Sequence, residues 1–360
     1  MSSVASMKWL RFLPGATSGA GLAVLFYSYA LLCLVRMPLL AGLMISPATE
    51  KRLGALVIVL GAVGLYAAAV LPGLVLGEAA RSRLAARTAR FKTHGMATLG
   101  LWLFTIFLVV SIVAPIVAPF DPVTQDEPAV NRYQAPSLQH PMGTDRFGRD
   151  VFSRVLYGSR VSLAVSVTAV ALASLLGLMF GAFSGYFGGW VDDLAMRVVD
   201  GLLAFPRLVL ILTLLAFFAN SMWLLVVLLA ATGWMGVARV VRSEVLVLKQ
   251  REFVQAARAT GAGGVRVVAR HLLPNTAGPV IVAATLRVGT LILLESYLSF
   301  LGLGAQPPTP SWGGMVFEGR EVLLSAWWVA LFPGLALVCA VVSCNLLGDG
   351  LRDAMDVKRA

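Results

Sequence analysis

The block Val161-Ser-Leu-Ala-Val-Ser-Val-Thr-Ala-Val-Ala-Leu-Ala-Ser-Leu-Leu-Gly-Leu-Met-Phe-Gly-Ala-Phe183 contains no charged side chain. A helix needs roughly 20 predominantly apolar residues to cross a hydrocarbon layer about 30 Å thick. Lipid offers no partner for bare backbone N–H and C=O groups, so a spanning segment is either a helix or a strand of a closed barrel. Barrel strands are short and alternate apolar with polar residues, whereas this block is continuous. It reads as a membrane-spanning helix, and similar blocks flank it. They lie near Ala20–Ile45, Leu53–Leu76, Ala97–Ala118, Leu202–Ala219, Met222–Ala238, Ala277–Leu303 and Ala326–Leu347. The expected fold is all-α, a polytopic membrane protein with about eight spans.

Composition agrees with that reading. Of 360 residues, 58% are hydrophobic and 13% charged, where soluble domains carry about 25% charged residues; the mean hydropathy is +0.83. The net charge of +11 does not point to nucleic acid, because the basic residues gather in particular loops between spans. Lys and Arg concentrate on the cytoplasmic side of membrane proteins. With the N-terminus placed inside, the inner segments hold about 18 basic residues and the outer ones about eight. The inner set includes Arg81, Arg83, Arg87, Arg90 and Lys92, then Arg239, Arg242, Lys249, Arg251, Arg258, Arg266 and Arg270. Both termini are therefore expected in the cytoplasm. The first block lacks a small-residue cleavage site and reads as a retained span rather than a signal peptide. The chain divides near Phe91. Residues 1–91 form a two-span hairpin with a basic connector, and residues 92–360 a six-span core carrying a cytoplasmic loop at 239–275. Cys33, Cys339 and Cys344 lie in apolar segments without metal or redox spacing, and read as packing residues. No metal or other cofactor is expected, and no chemistry is assigned to His94, His140 or His271.

The loop between the fourth and fifth core spans is the most informative. It contains Arg251-Glu-Phe-Val-Gln-Ala-Ala-Arg-Ala-Thr-Gly261, then an apolar helical pattern from Val265, then His271-Leu-Leu-Pro-Asn275. Phe253, Ala256, Ala257 and Thr260 fall on one helical face at i, i+3, i+4 and i+7. Small residues there let another surface approach the backbone closely. Gly261 supplies the backbone freedom for a sharp break, and Pro274 is expected to end the second helix. The loop thus predicts a helix–turn–helix with a small, knob-like apolar face. An amphipathic helix resting on the bilayer is the simpler alternative for the same pattern.

The order Ala256-Ala257, three residues, Gly261, then Leu273-Pro274 resembles the coupling loop of ABC importer permeases. Further strings carry the likeness from about Leu99 to Asp356. They include His140-Pro-Met-Gly-Thr-Asp145, Gly148-Arg-Asp-Val151, Ser153-Arg-Val-Leu-Tyr-Gly-Ser-Arg160 and Gly185-Tyr-Phe-Gly-Gly-Trp190. Later come Leu298-Ser-Phe-Leu-Gly-Leu-Gly304, Gln306-Pro-Pro-Thr-Pro-Ser-Trp-Gly313 and Asn345-Leu-Leu-Gly-Asp-Gly-Leu-Arg-Asp353. Together they resemble the dipeptide/oligopeptide/nickel branch of binding-protein-dependent permeases, specifically its second permease subunit. The likeness implies the six-span type I importer core and a role for Glu252, Phe253, Gln255, Ala256, Ala257, Gly261, Leu273 and Pro274 in docking an ATPase. Gln255 departs from the family, which usually has Glu there. It also implies two ABC ATPase subunits, a homologous second permease subunit and a periplasmic substrate-binding protein as partners, in the bacterial inner membrane, with peptide cargo. Nickel chelates, haem or another small solute are the alternatives within the class. No Walker A string occurs, so ATP hydrolysis is expected on a separate chain, and this one is not expected to be an enzyme.

Read without the likeness, the outer strings still carry structure. Gly143, Gly148 and Gly158 with interleaved charges predict an ordered outer loop, and Trp312 after the prolines is expected at the membrane interface. Gly185–Trp190 predicts a tight turn. Arg287 and Glu295 lie within a span, where ionisable groups are costly and face a cavity or a partner. Eight residues apart, they are expected on roughly one face about 12 Å apart, lining the pathway or serving as packing groups. An ion-coupled secondary transporter would show more acidic residues at mid-membrane. A non-transporting membrane subunit is the remaining alternative.

Overall fold

A computed structural model describes residues 94–125, 128–218 and 221–355, together with Phe91. The expected hairpin Ala20–Leu76, the basic residues of the connector and both chain termini lie outside these residues. Among the described residues the structure is helical, apart from one isolated bridge between Thr144 and Asp150. The principal helices are α1 (Gly95–Val117), α2 (Val151–Phe187), α3 (Gly189–Leu203), α4 (Arg207–Phe217), α5 (Met222–Ala231) and α6 (Trp234–Leu248). They continue with α7 (Glu252–Ala259), α8 (Leu273–Phe300), α9 (Trp312–Gly319) and α10 (Trp328–Met355).

Among the described residues five stretches are long and apolar enough to cross a membrane, and a sixth arises if the bent pair α3–α4 is one span. That pair corrects the straight span expected at Leu202–Ala219, because its two helices meet at 78°. Pro206 is the cause. It lacks an N–H and pushes the residue before it away from helical geometry, so α4 begins afresh at Arg207. Other helices exceed their expected bounds. α2 starts at Val151, where the Asp150 carboxylate accepts from the Ser153 N–H at 2.7 Å, a side-chain cap that satisfies one orphan donor. α5 and α6 run nearly as one to Leu248, with a break at Thr232–Gly233.

Pro274 does not end a helix as expected. It occupies the first turn of α8, where its missing N–H costs least, and a π-helical turn at Val268–Leu272 leads into it. That wider turn carries the chain past the proline, so a continuous helical path runs from Gly264 to Phe300.

α2 is the central element, packed against α6, α8, α1 and α5. Lipid tails are as apolar as the helices, so close van der Waals contact rather than water exclusion holds such a bundle. Gly177, Gly181 and Gly185 form the α2 face against α6. A Cβ built on Gly177 would stand 2.5 Å from the Val237 Cβ, and one on Gly181 2.8 Å from the Val241 Cβ. The main core gathers Leu163 and Val167 of α2, Val288 and Ile292 of α8, and Cys344 and Leu347 of α10. Trp312 belongs to this core, not to an interfacial belt. It is fully buried, its Nε1–H donates to the Val155 carbonyl at 3.0 Å, and Phe107 meets its ring edge-on. Cys344 packs as expected, whereas Cys339 is exposed on α10.

Candidate coupling site and translocation cavity

At one end of the bundle a second core joins the 251–273 segment to the spans. Val254, Val267, Val268 and Leu272 are buried there against Ala182 of α2, Val241 and Val245 of α6 and Val280 of α8. The inward residue of α7 is thus Val254. Phe253, Ala256 and Thr260 face outward, and Ala257, expected on the same outward face, is half-buried against the core. Sequence reasoning missed Val254 because α7 carries small or apolar residues on both faces.

α7 ends in a complete glycine-based stop. Gly261 has φ +82°, its N–H donates to the Arg258 carbonyl at 2.9 Å, and the Ala262 N–H donates to the Ala257 carbonyl at 3.0 Å. This is the paired arrangement in which glycine beyond the helix end closes both orphan carbonyls, with an apolar contact between the flanking residues. Here Ala257 and Ala262 both pack on the same core. No heavy atom lies within 4 Å of where a Gly261 Cβ would stand, so the turn projects outward.

Gln255 has a local role that a glutamate could not fill. Its Nε2 donates to the Lys249 carbonyl just past the end of α6, at 3.3 Å. Lys249 in turn donates to the Gly185 carbonyl at 3.0 Å, and the Arg258 guanidinium lies 4.9 Å from the centre of the Tyr186 ring. Glu252 and Pro274 are exposed, and Leu273 is half-buried and packs on the same core as Ala257. The tight turn expected at Gly185–Trp190 is present: Gly188 and Gly189 both have positive φ. Asp192 beyond it pairs with Arg242 at 2.5 Å and accepts from the Ser184 hydroxyl.

At the opposite end, the loop before α2 is ordered by a buried ionic cluster. Asp145 accepts from Arg149 at 2.7 Å and pairs with Arg154, while Glu318 on α9 meets Arg154 at 2.7 Å and Arg149 at 3.3 Å. Burial, and next the neighbouring Arg154, hold the Arg149 guanidinium below its ordinary value. His140 Nδ1 and the Asp150 carboxylate are 3.0 Å apart, and Trp328 Nε1–H donates to the Thr144 carbonyl at 3.1 Å.

The two ionisable residues expected on one face of α8 diverge. Glu295 is fully buried, accepts from the Ser299 hydroxyl at 2.7 Å and lies beside Ser296. Arg287, about 80° around the helix at 100° per residue, reaches a cavity at the α5–α6 break and donates to the Gly233 carbonyl at 2.5 Å. Sequence reasoning missed Arg207, which reaches the same cavity. Its signal was a lone cation directly after Pro206.

Residues 177–359 match the family described as the binding-protein-dependent transport system inner membrane component. Residues 82–136 match the N-terminal membrane domain of oligopeptide transport permease C. The chain is 41% identical to a dipeptide transport system permease protein of Alkalihalophilus pseudofirmus over 75% of its length and 88% of the relative's. It is 40% identical to the Bacillus subtilis dipeptide permease, across 75% of this chain and 84% of that one. Its identity to an Escherichia coli glutathione transport system permease protein is 43%, over 75% and 88%. The chain belongs to the binding-protein-dependent ABC importer permeases. It is a multi-pass inner-membrane permease of the peptide and nickel branch, as the motifs implied. Membership gives the 251–273 segment of this permease its context, since an importer subunit of this class works with an ATPase and a binding protein.

Proposed function

We propose that this permease moves di- or oligopeptides from periplasm to cytoplasm by alternating access, driven by two ATPase subunits and paired with a homologous second permease. The observation that supports the coupling role is the two-sided construction of α7. Its inner residue Val254 is packed to three spans, while Phe253, Ala256 and Thr260 and the Gly261 turn face outward. A knob so mounted passes a push from a partner to α2, α6 and α8 rather than flexing alone. A chain that merely lay on the bilayer would have no need of that second core. The segment faces the cytoplasm with both termini, in keeping with the basic residues of its loops. The 1–91 hairpin is an addition to the six-span core. The ordered outer loop, held by the Asp145–Arg154–Glu318 cluster, then faces the periplasm as the landing surface for the loaded binding protein.

The test has two arms. The tagged chain is co-expressed with its neighbouring subunits and purified in mild detergent, alongside Gly261→Asp. The native chain should bring down an ATPase and a second permease, and the variant should lose the ATPase while keeping the permease. The complex is then reconstituted in vesicles and supplied with binding protein, ATP and labelled di- and tripeptides. Uptake of nickel chelate or haem, but of no peptide, would move the cargo elsewhere within the branch. A native chain that purifies alone would sink the importer arrangement itself.

A further inference from the structure

The bend between α3 and α4 delivers Arg207 to the break between α5 and α6. Its Nε donates to the Thr232 hydroxyl and its Nη2 to the Leu229 carbonyl, both at 3.0 Å. Arg287 approaches the same break from α8 and donates to the Gly233 carbonyl. These acceptors are all neutral, and among the described residues no carboxylate pairs with either guanidinium. With Val170, Ala173, Gly233 and Thr290, the two arginines line a cavity of about 270 Å³.

Two like charges at one cavity, inside the spans, are costly unless something offsets them. The carbonyls at the end of α5 contribute the negative end of a short helix dipole, which offsets part of one charge. Glu295 does not supply the rest, since it is buried among serines elsewhere on α8. A guanidinium has five donors, and each arginine uses at most two on the protein. The remaining donors form planar forks that match a carboxylate in two-point geometry. The cavity is at the small end of ligand sites, which run from about 300 Å³ upward, so it fits one end of a solute rather than a whole oligopeptide.

We infer that the Arg207–Arg287 cavity binds a carboxylate of the transported solute, which for a peptide cargo is the C-terminal carboxylate. The anion site stands on the geometry alone; its assignment to a peptide terminus rests on the function proposed above.

The experiment uses the complete transporter complex carrying Thr290→Cys, with Cys33→Ser, Cys339→Ser and Cys344→Ala removing the native thiols. The introduced thiol is modified with anionic sulfonatoethyl and cationic trimethylammonioethyl methanethiosulfonates, and rates are normalised to a free thiol. The anionic reagent should be favoured by about tenfold, the lower end of electrostatic focusing in a charged cleft. Arg207→Gln or Arg287→Gln should reduce that preference severalfold, and Arg287→Lys should keep most of it. Alanyl-alanine should slow modification, while its C-terminal amide at equal concentration should not.

A preference near one in the native background, or one unmoved by both glutamine variants, would overturn the site. Arginines that only staple the helix break would still favour the anionic reagent, and alanyl-alanine would then give no protection. Equal protection by acid and amide, or none from a peptide that the same complex transports, would overturn the carboxylate assignment. A clear anionic preference in a complex that transports no peptide would remove the peptide reading and leave the anion site supported.

Discussion

Gln255 shows how a departure from a family pattern acquires a physical meaning once its neighbours are known. Its amide donates to the Lys249 carbonyl and ties α7 to the end of α6, and a glutamate would offer that carbonyl only an acceptor. The bond is exposed and long, so its net worth is near the low end of about 0.5–1.5 kcal/mol. Gln255→Glu should therefore raise amide hydrogen exchange across α7 a fewfold without unfolding the bundle. An unchanged exchange rate would mean that the bond contributes nothing in solution. Val254 carries more weight, being fully buried where three spans meet. Val254→Ala removes two methyl-sized groups, at roughly 0.8 kcal/mol each before any cavity penalty. It should lower thermal stability modestly and ATP-coupled uptake strongly, while uptake as unaffected as with an exposed control such as Arg266→Ala would deny α7 its mounting. The outward positions Phe253, Ala256 and Thr260 were legible from helical spacing. Val254 was not, because an eight-residue helix with apolar groups on both faces leaves periodicity no way to choose the buried one.

Spans were the easiest elements to read, since a continuous apolar run has few other stable forms in lipid. Their bends were harder. Pro206 and Pro274 carry the same local signal, yet the first breaks a span by 78° and the second rides inside a continuous path behind a π turn. A local rule for proline assumes an i→i−4 ladder and does not say whether the preceding turn will widen to accommodate the ring. The α2–α6 seam was equally silent in hydropathy, although the four-residue spacing of Gly177, Gly181 and Gly185 is a packing signal. Its consequence is measurable by a matched pair. Gly181→Ala pushes a methyl into the α6 backbone and the Val241 side chain, an overpacking that costs about 1–3 kcal/mol. Gly201→Ala, on α3, meets nothing within 4 Å and gains up to about 1 kcal/mol of helix propensity. Thermal unfolding of the purified complex should therefore fall for the first and hold or rise for the second. Equal shifts would show that the seam tolerates separation.

On the scale of the whole molecule, α2 joins both candidate interfaces directly. Its 37 residues span about 55 Å at 1.5 Å per residue. It places Arg154 in the ionic cluster near its start, and ends at Ala182 and Tyr186 against the 251–273 core. On the function proposed above, a stiff element fixed at each end would give binding-protein arrival and ATPase movement a shared physical route, and the two ends should be separable by mutation. In the outer cluster two carboxylates, Asp145 and Glu318, face two guanidiniums, Arg149 and Arg154. Glu318→Gln leaves a net positive charge buried there, at a cost of about 1–3 kcal/mol, moderated by the Asp145 that remains. The outer loop should loosen while the far end stays intact. ATPase subunits should still co-purify with Glu318→Gln and hydrolyse ATP at the basal rate, but loaded binding protein should no longer stimulate them. Gly261→Asp should do the converse, keeping the loop ordered and losing the ATPase. If Glu318→Gln instead strips the ATPase, the two ends are not independent sites, and the cluster is part of the bundle's general stability. If it leaves stimulation intact, the binding protein lands on some surface other than the loop that this cluster holds in place.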